Sequence, residues 1–204
     1  MPADTPPGSA PRFVTPPLEE MTSAQREIYA LFTSGERAAP GAAFSLAGAD
    51  GRLAGPPAVW LLSPPVGLAL EKVGHAVRFQ LQLPPRAREM VILMTGHHHA
   101  SRFEVYAHTA GGLAAGLSQA DLDALTAGQP PALADDTERA AYTATGEILD
   151  TGTLSDDSYA AAAAALTEPG LFEVVALIGW YGMLAVQLAV FGVRPPASAA
   201  GGGQ

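Results

Sequence analysis

Leu83-Pro84-Pro85-Arg86-Ala87-Arg88-Glu89-Met90-Val91-Ile92-Leu93-Met94-Thr95-Gly96 is followed at once by His97-His98-His99-Ala100-Ser101-Arg102-Phe103-Glu104-Val105-Tyr106-Ala107-His108. Two helices are written in this stretch. Proline is tolerated in the first turn of a helix, where its missing N–H has no intrahelical partner, so Pro84-Pro85 opens a helix over roughly Arg86 to Thr95 and Gly96 stops it. Ser101 followed by Glu104 fits the capping-box pattern, in which each side chain satisfies the other's backbone N–H. The second helix therefore begins at Ser101 and runs to about Ala115, with Gly116 in the C′ position. His97, His98 and His99 fall in the link between the two.

The same grammar extends outward. Upstream, Ser23 to Phe32 reads as a helix, residues 36–57 as a long Gly- and Pro-rich loop, and Ser63-Pro64-Pro65 as the start of a helix to about Gln80. Downstream, Ser118 to Ala127 closes at Gly128. Asp136 to Leu149 and Ser155 to Leu166 follow, and Pro169-Gly170 breaks the chain before a last apolar helix, Leu171 to Phe191. No segment alternates as a strand does, so the expectation is an all-α fold of about seven or eight helices. One domain over residues 18–194 is expected, between a disordered Pro-rich segment at 1–17 and a flexible tail at 195–204.

Composition narrows the function classes. The chain has 204 residues and a net charge of −9, and its Lys and Arg residues are scattered, which argues against nucleic acid and anionic membranes as partners. It has no cysteine, so thiolate nucleophiles, disulfides and Cys-based zinc sites are excluded. Only 15% of residues are charged, and a surface so poor in charge is expected to meet another subunit. The Leu171–Phe191 helix has about the length of a membrane span. Glu173 and Gln187 interrupt it and Gly179 and Gly182 suit close packing, so it reads as a core or subunit-interface helix. Nothing at Met1 to Pro11 resembles a secretory signal, and the expected location is cytoplasmic.

Several residues are candidates for chemistry. Glu104 and His108 are four apart and share a helix face, so a carboxylate can orient an imidazole and support proton transfer. The structural alternatives are a capping-box role for Glu104 and a satisfied core position for His108. Glu89 stands at the edge of an apolar run, either as a paired buried carboxylate or as an exposed first-turn residue favoured by the helix dipole. The histidine run forms either a polar turn with one ring facing a pocket or, with Glu104 and His108, an oxygen–nitrogen metal site. The polar turn is preferred, and neither a metal nor an organic cofactor is expected. Gly111-Gly112 lacks the strand and spacing of a nucleotide loop and reads as a place of close helix approach. Trp60, Trp180 and Tyr181 read as core or interface residues.

These motifs resemble the carboxymuconolactone decarboxylase-like family of the alkyl hydroperoxidase D-like superfamily. Leu83 to Leu93 contains its Pro-x-x-Arg-Glu element, and Phe103 to His108 its Glu-x-x-x-His motif. Gly116-Leu117-Ser118 with Asp121-Leu122 is similar to its turn into the next helix. Asp50 to Pro56, Phe172 to Tyr181 and Val193-Arg194-Pro195 extend the resemblance over about residues 45–195. The hydroperoxidase branch carries Cys-x-x-Cys where this chain has Ser101 and Glu104, whereas the decarboxylase branch keeps Glu and His. Where many decarboxylase-type members have Tyr and Trp beside the Glu, this chain has Phe103 and Val105.

The resemblance implies a cofactor-free lyase acting on a small acidic or lactone substrate, assembled as a homo-oligomer of trimer or hexamer type. In it His108 donates a proton with Glu104 orienting the ring, Glu89 fixes the proton network, and Arg102 or one of His97, His98 and His99 holds a substrate carboxylate. An isomerase or cyclase using the same proton chemistry, or a small-molecule-binding oligomer, is the alternative.

Overall fold

A computed structural model describes residues 12–34, 46–48 and 50–196. In chain order a short 3-10 turn, Leu18–Glu20, precedes α1 Ser23–Thr33, α2 Pro56–Trp60, α3 Pro64–Phe79, α4 Pro85–His98, α5 Arg102–Ala114, α6 Gln119–Thr126, α7 Asp136–Thr151 and α8 Asp156–Phe191. Among the described residues there is no strand, only one isolated bridge between Ala47 and Leu53.

The helix α4 is the centre of the bundle, packed against α5, α7 and α8. Its run Met90, Val91, Ile92 and Leu93 is buried on every side, as a helix that is apolar all round must be. Removing one such side chain is expected to cost about 2–5 kcal/mol. The entry to α4 is held by α8, where the Glu173 carboxylate accepts the backbone N–H groups of Gln82 and Leu83 at 3.0 and 2.8 Å. The acidic residue that interrupts the apolar helix thus caps the turn before α4. That α8 is long and apolar enough to cross a membrane by length and composition, with mean hydropathy 2.0 in its best window. One of its faces, through Leu171, Val174, Leu177, Tyr181, Leu184 and Leu188, belongs to the core.

Several local expectations change. Residues 56–60, the first two of which were expected to end the loop, form α2, with Pro56 and Pro57 in its first turn and every residue buried. Gly55 enters it with φ +67, and a Cβ there would collide with the Phe103 ring. The helix α4 continues through Gly96, so His97 and His98 stand on its last turn rather than in a link. Ser101 precedes α5 without any side-chain cap bond, so the capping box with Glu104 is not formed. Thr22–Gln25 and Ser118–Asp121 do form such boxes.

The chain also breaks at Thr167, with φ 66 and ψ 162, rather than at Pro169-Gly170. Proline cannot donate to the preceding turn but suits the first turn of a new one. Thr167 accordingly caps the second half of α8, its Oγ1 accepting from the Gly170 N–H at 3.4 Å.

Of the segment 1–17 expected to be disordered, residues 1–11 lie outside the described residues. Residues 12–17 are tied to the body instead. Thr15 is buried and donates to the Leu53 carbonyl at 3.1 Å, while Arg52 Nη1 donates to the Thr15 carbonyl at 2.6 Å. Of the tail, residues 197–204 likewise lie outside the described residues.

Candidate active site

The helix pair α4–α5 brings Glu89, Glu104 and His108 together below the surface. All three are buried, at 4%, 3% and 3% exposure. His108 Nδ1 lies 2.7 Å from Glu89 Oε2. Its other nitrogen, Nε2, faces Glu104 Oε2 at 3.6 Å, too long for a hydrogen bond. The imidazole is therefore held by Glu89, not by Glu104 as expected from their spacing on one helix. Glu89 is not an exposed first-turn residue; its second oxygen accepts from Arg88 Nη2 at 3.4 Å. Both residues belong to the Pro-x-x-Arg-Glu element.

Gly111 explains how a carboxylate from α4 reaches into α5. A Cβ at Gly111 would lie 2.8 Å from Glu89 Oε2. The close approach expected at Gly111-Gly112 is therefore that of an incoming carboxylate at the first glycine. At the second, a Cβ would lie 2.9 Å from Leu117 Cδ1.

The two carboxylates are driven in opposite directions. Burial pushes Glu89 up, but the hydrogen bond from His108, with the charges of His108, Arg88 and Arg78, holds it below its ordinary value. Burial pushes Glu104 up to about 6, only partly opposed by His108, and its Oε1 is buried without a hydrogen-bond partner. An ionised Glu89 at Nδ1 fixes the ring tautomer so that Nδ1–H donates and Nε2 is left to exchange a proton with Glu104 or a ligand. A carboxyl group near 6 is close to the operating range in which an acid–base group works best. Tyr181 closes the ring's other side edge-on, 4.9 Å between centroids at 86°. Its phenol is pushed above its ordinary value by burial and by the charges of Glu104 and Glu89, so it stays protonated.

A cavity of about 60 Å³ opens onto Glu104 and His108. Its wall is largely aromatic: Phe32, Trp60, Phe103, Trp180 and Tyr181, with Pro56, Pro57, Leu46 and Leu184. The rings brace one another, Trp60 lying edge-on to Phe32 at 5.6 Å and to Trp180 at 6.1 Å, and Trp60 Nε1 donates to Gln187 Oε1 at 3.0 Å. Trp60, Trp180 and Tyr181 are thus core residues, as expected, whose inner faces also form the pocket. The space is well under the ~300–1,000 Å³ of drug-sized ligand sites and suits a small molecule.

The residues expected to hold a substrate carboxylate do not line this cavity. His97 and His98 border a separate groove with Thr126 and Tyr142, where His97 Nε2 lies 3.5 Å from Thr126 Oγ1. His99 packs against Gly182 of α8, and Arg102 is exposed. Among the described residues no group of three or more His, Asp or Glu side chains is arranged to hold a metal ion. The cation in the cavity wall is Arg78, near the end of α3. In sequence it is one more basic residue in a last helical turn, favoured there by the helix dipole, and nothing in the one-dimensional pattern singles it out.

The described residues form an all-helical fold around a buried Glu–His–Glu cluster. Residues 64–147 match the model of the carboxymuconolactone decarboxylase family. That stretch contains the Pro-x-x-Arg-Glu and Glu-x-x-x-His motifs, in agreement with the resemblance seen in the sequence. Among solved structures it is similar to ATU0492 from Agrobacterium tumefaciens, a protein of unknown function assigned to AhpD-type antioxidant defence. There the TM-score is 0.60 at 18% identity, covering 68% of this chain and 95% of that one. It is also similar to the debrominase Bmp8 without ligand, at TM-score 0.68 and 15% identity over 92% of this chain and 94% of that one. A cysteine-to-alanine variant of Bmp8 in complex with 2,3,4-tribromopyrrole gives TM-score 0.68 at 14% identity. At these identities the likeness shows the fold. No curated protein matches the chain.

Proposed function

We propose that this protein is a cofactor-independent enzyme that moves a proton on a small enolisable acid, and that decarboxylation of a carboxylated lactone is its reaction. One observation carries the reading: a buried imidazole stands between two carboxylates of opposite character. Glu89 is ionised and bonded to Nδ1; Glu104 is readily protonated, lacks a partner for Oε1 and borders the cavity. A buried polar atom left without a partner costs stability. Its retention is understandable where that oxygen meets a ligand.

In the reaction the bond from carbon to the departing carboxylate breaks, and its electron pair passes through the adjacent C=C to the lactone carbonyl, giving CO2 and a dienolate. A proton carried by Glu104 or His108 Nε2 then goes to carbon and is replaced from solvent. The aromatic wall keeps water away from the anionic intermediate and raises the worth of each charge there. Thiol-dependent peroxidase or reductive chemistry from this chain's own side chains is excluded by the absence of cysteine. Loss of CO2 distinguishes this reaction from isomerisation or cyclisation, which would use the same groups.

The test is to offer purified protein a panel of butenolide carboxylates and β-keto acids and to read CO2 release and product mass. CO2 from one of them, lost in the His108→Gln variant, is the expected result. Mass-neutral conversion would make the enzyme an isomerase, and no conversion of any member would leave it a binding protein. The same reading includes a homo-oligomer of trimer or hexamer type, for which the exposed Phe172, Val175, Val186 and Val190 of α8 supply an apolar surface. Light scattering showing only a 20.9 kDa species would refute it.

A further inference from the structure

We propose that Arg78 is the anion-binding residue of the cavity, and that its ligand is a small ring-shaped carboxylate. Arg78 is the one basic side chain among the described residues lining the cavity that also presents Glu104 and His108. Its charge reaches the site, where it helps hold Glu89 below its ordinary value and opposes part of the rise at Tyr181. Its backbone is anchored, with the Arg78 carbonyl accepting from Arg88 Nη1 at 3.0 Å, so the end of α3 is held against α4. A guanidinium offers a planar fork that matches a carboxylate. The rest of the wall is aromatic or aliphatic, which favours a ring. An anionic ligand entering beside the buried carboxylates needs such a counter-charge.

Trp60 and Trp180 line the cavity, so binding is readable in intrinsic fluorescence without turnover. The probes are benzoate and cyclohexanecarboxylate, each against its neutral amide of the same shape. Wild-type protein is expected to bind each acid about tenfold to a hundredfold more tightly than its amide, the range for a hydrogen bond to a charged partner. Arg78→Gln should erase the difference. Arg78→Lys, which keeps the charge but not the fork, should retain part of it and shows that loss in Arg78→Gln is not misfolding. Arg102→Gln tests the competing guanidinium and should leave the preference in place.

Equal binding of acid and amide, a preference that survives Arg78→Gln, or no saturable binding of any probe overturns the proposal. The two readings fail separately. Arg78-dependent binding without CO2 release from any substrate would sink only the lyase. CO2 release with Arg78-independent binding would sink only the anion site.

Discussion

Among the described residues two buried clusters of charge are built to opposite ends. In the first, Arg86 reaches from α4 to Glu138 on α7 and to Asp121 on α6, the latter at 3.2 Å, and also donates to the carbonyls of Ala132 and Gly116 at 2.8 and 3.2 Å. Asp121 accepts from Ser118 N, Ser118 Oγ and Ala132 N, at 2.9, 2.8 and 2.8 Å. Glu138 accepts from Ala134 N at 2.8 Å. In the second cluster Glu89 is paired, but Glu104 has one oxygen without a partner and another 3.6 Å from His108.

The electrostatic outcome follows from the donors. At Asp121 burial alone would raise the carboxyl, yet the Ser118, Ala132 and Arg86 bonds bring it down to about 2. At Glu104 burial meets little opposition and the value rises to about 6. Burial of carboxylates is common to both clusters; what separates a girder from a candidate acid–base group is how many donors were provided.

The largest effect expected of any single change is on turnover. In His108→Gln the side-chain amide can still donate to Glu89, so the buried carboxylate keeps a partner while the exchangeable ring proton is lost. Turnover of the substrate found in the CO2 screen should fall about 10²–10⁴-fold, with little change in Tm. His108→Ala should lose activity and also stability, because it leaves Glu89 under-paired. If His108→Gln keeps wild-type turnover, the second cluster is structural like the first.

Arg86→Met reverses the pattern. It leaves Asp121 and Glu138 buried without their shared cation, which is expected to cost about 3–5 kcal/mol, measured by urea denaturation. Activity per folded molecule should stay normal, since Arg86 touches neither the cavity nor His108. A variant that is stable but inactive would mean that the two clusters communicate.

Next comes the pH dependence of stability, in which the clusters push against each other. Glu104 binds its proton more tightly folded than unfolded, so between its ordinary value near 4.5 and about 6 the folded state holds the extra proton. Stability from this group therefore falls as pH rises through that window, by about 2 kcal/mol. Asp121 does the reverse further down: its contribution is present above its ordinary 3.8 and is lost as pH falls towards 2. In Glu104→Gln the slope between 4.5 and 6 should vanish, stability at pH 7 should be unchanged or slightly higher, and turnover should drop by about 10²-fold or more. Loss of stability at pH 7 in that variant would return Glu104 to a structural role.

What could be read from the sequence follows the range of the interaction. Helices declared themselves through local rules: prolines in first turns, Ser118–Asp121 as a cap, and Gly116 at φ +99 after α5. Glu104 and His108 were visible as a pair because four residues make one helical turn. The same local logic misled at Ser101, where a capping pattern is present but the carboxylate turns inward. The partner that holds the ring comes from another helix, and nothing in the spacing of Glu89 and His108 states that they meet. Arg78 was missed for the same reason, and α2 because two prolines and a small residue read as loop until Trp60 buries them.

The smallest effect offers the sharpest test of the geometry. Gly111 lies in the last turn of α5, where alanine would ordinarily favour the helix by up to about 1 kcal/mol. Its Cβ, however, would lie 2.8 Å from Glu89 Oε2 and 3.2 Å from the carboxyl carbon. The obstacle is the far end of a flexible side chain, so the helix can form and the carboxylate must yield. Gly111→Ala is therefore expected to keep or slightly raise Tm. Glu89 should shift by some tenths of an ångström, lengthening its bond to His108 Nδ1 and loosening the ring. A misplacement of about 1 Å can cost up to about 10²-fold in rate, so a smaller shift should lower turnover by about tenfold, with a weaker effect on binding of the probe acids. The His108 ring protons, followed by NMR, should move with it. Full activity in a stable Gly111→Ala protein would mean that the Glu89–His108 contact is dispensable, and the role of orienting the imidazole would pass back to Glu104.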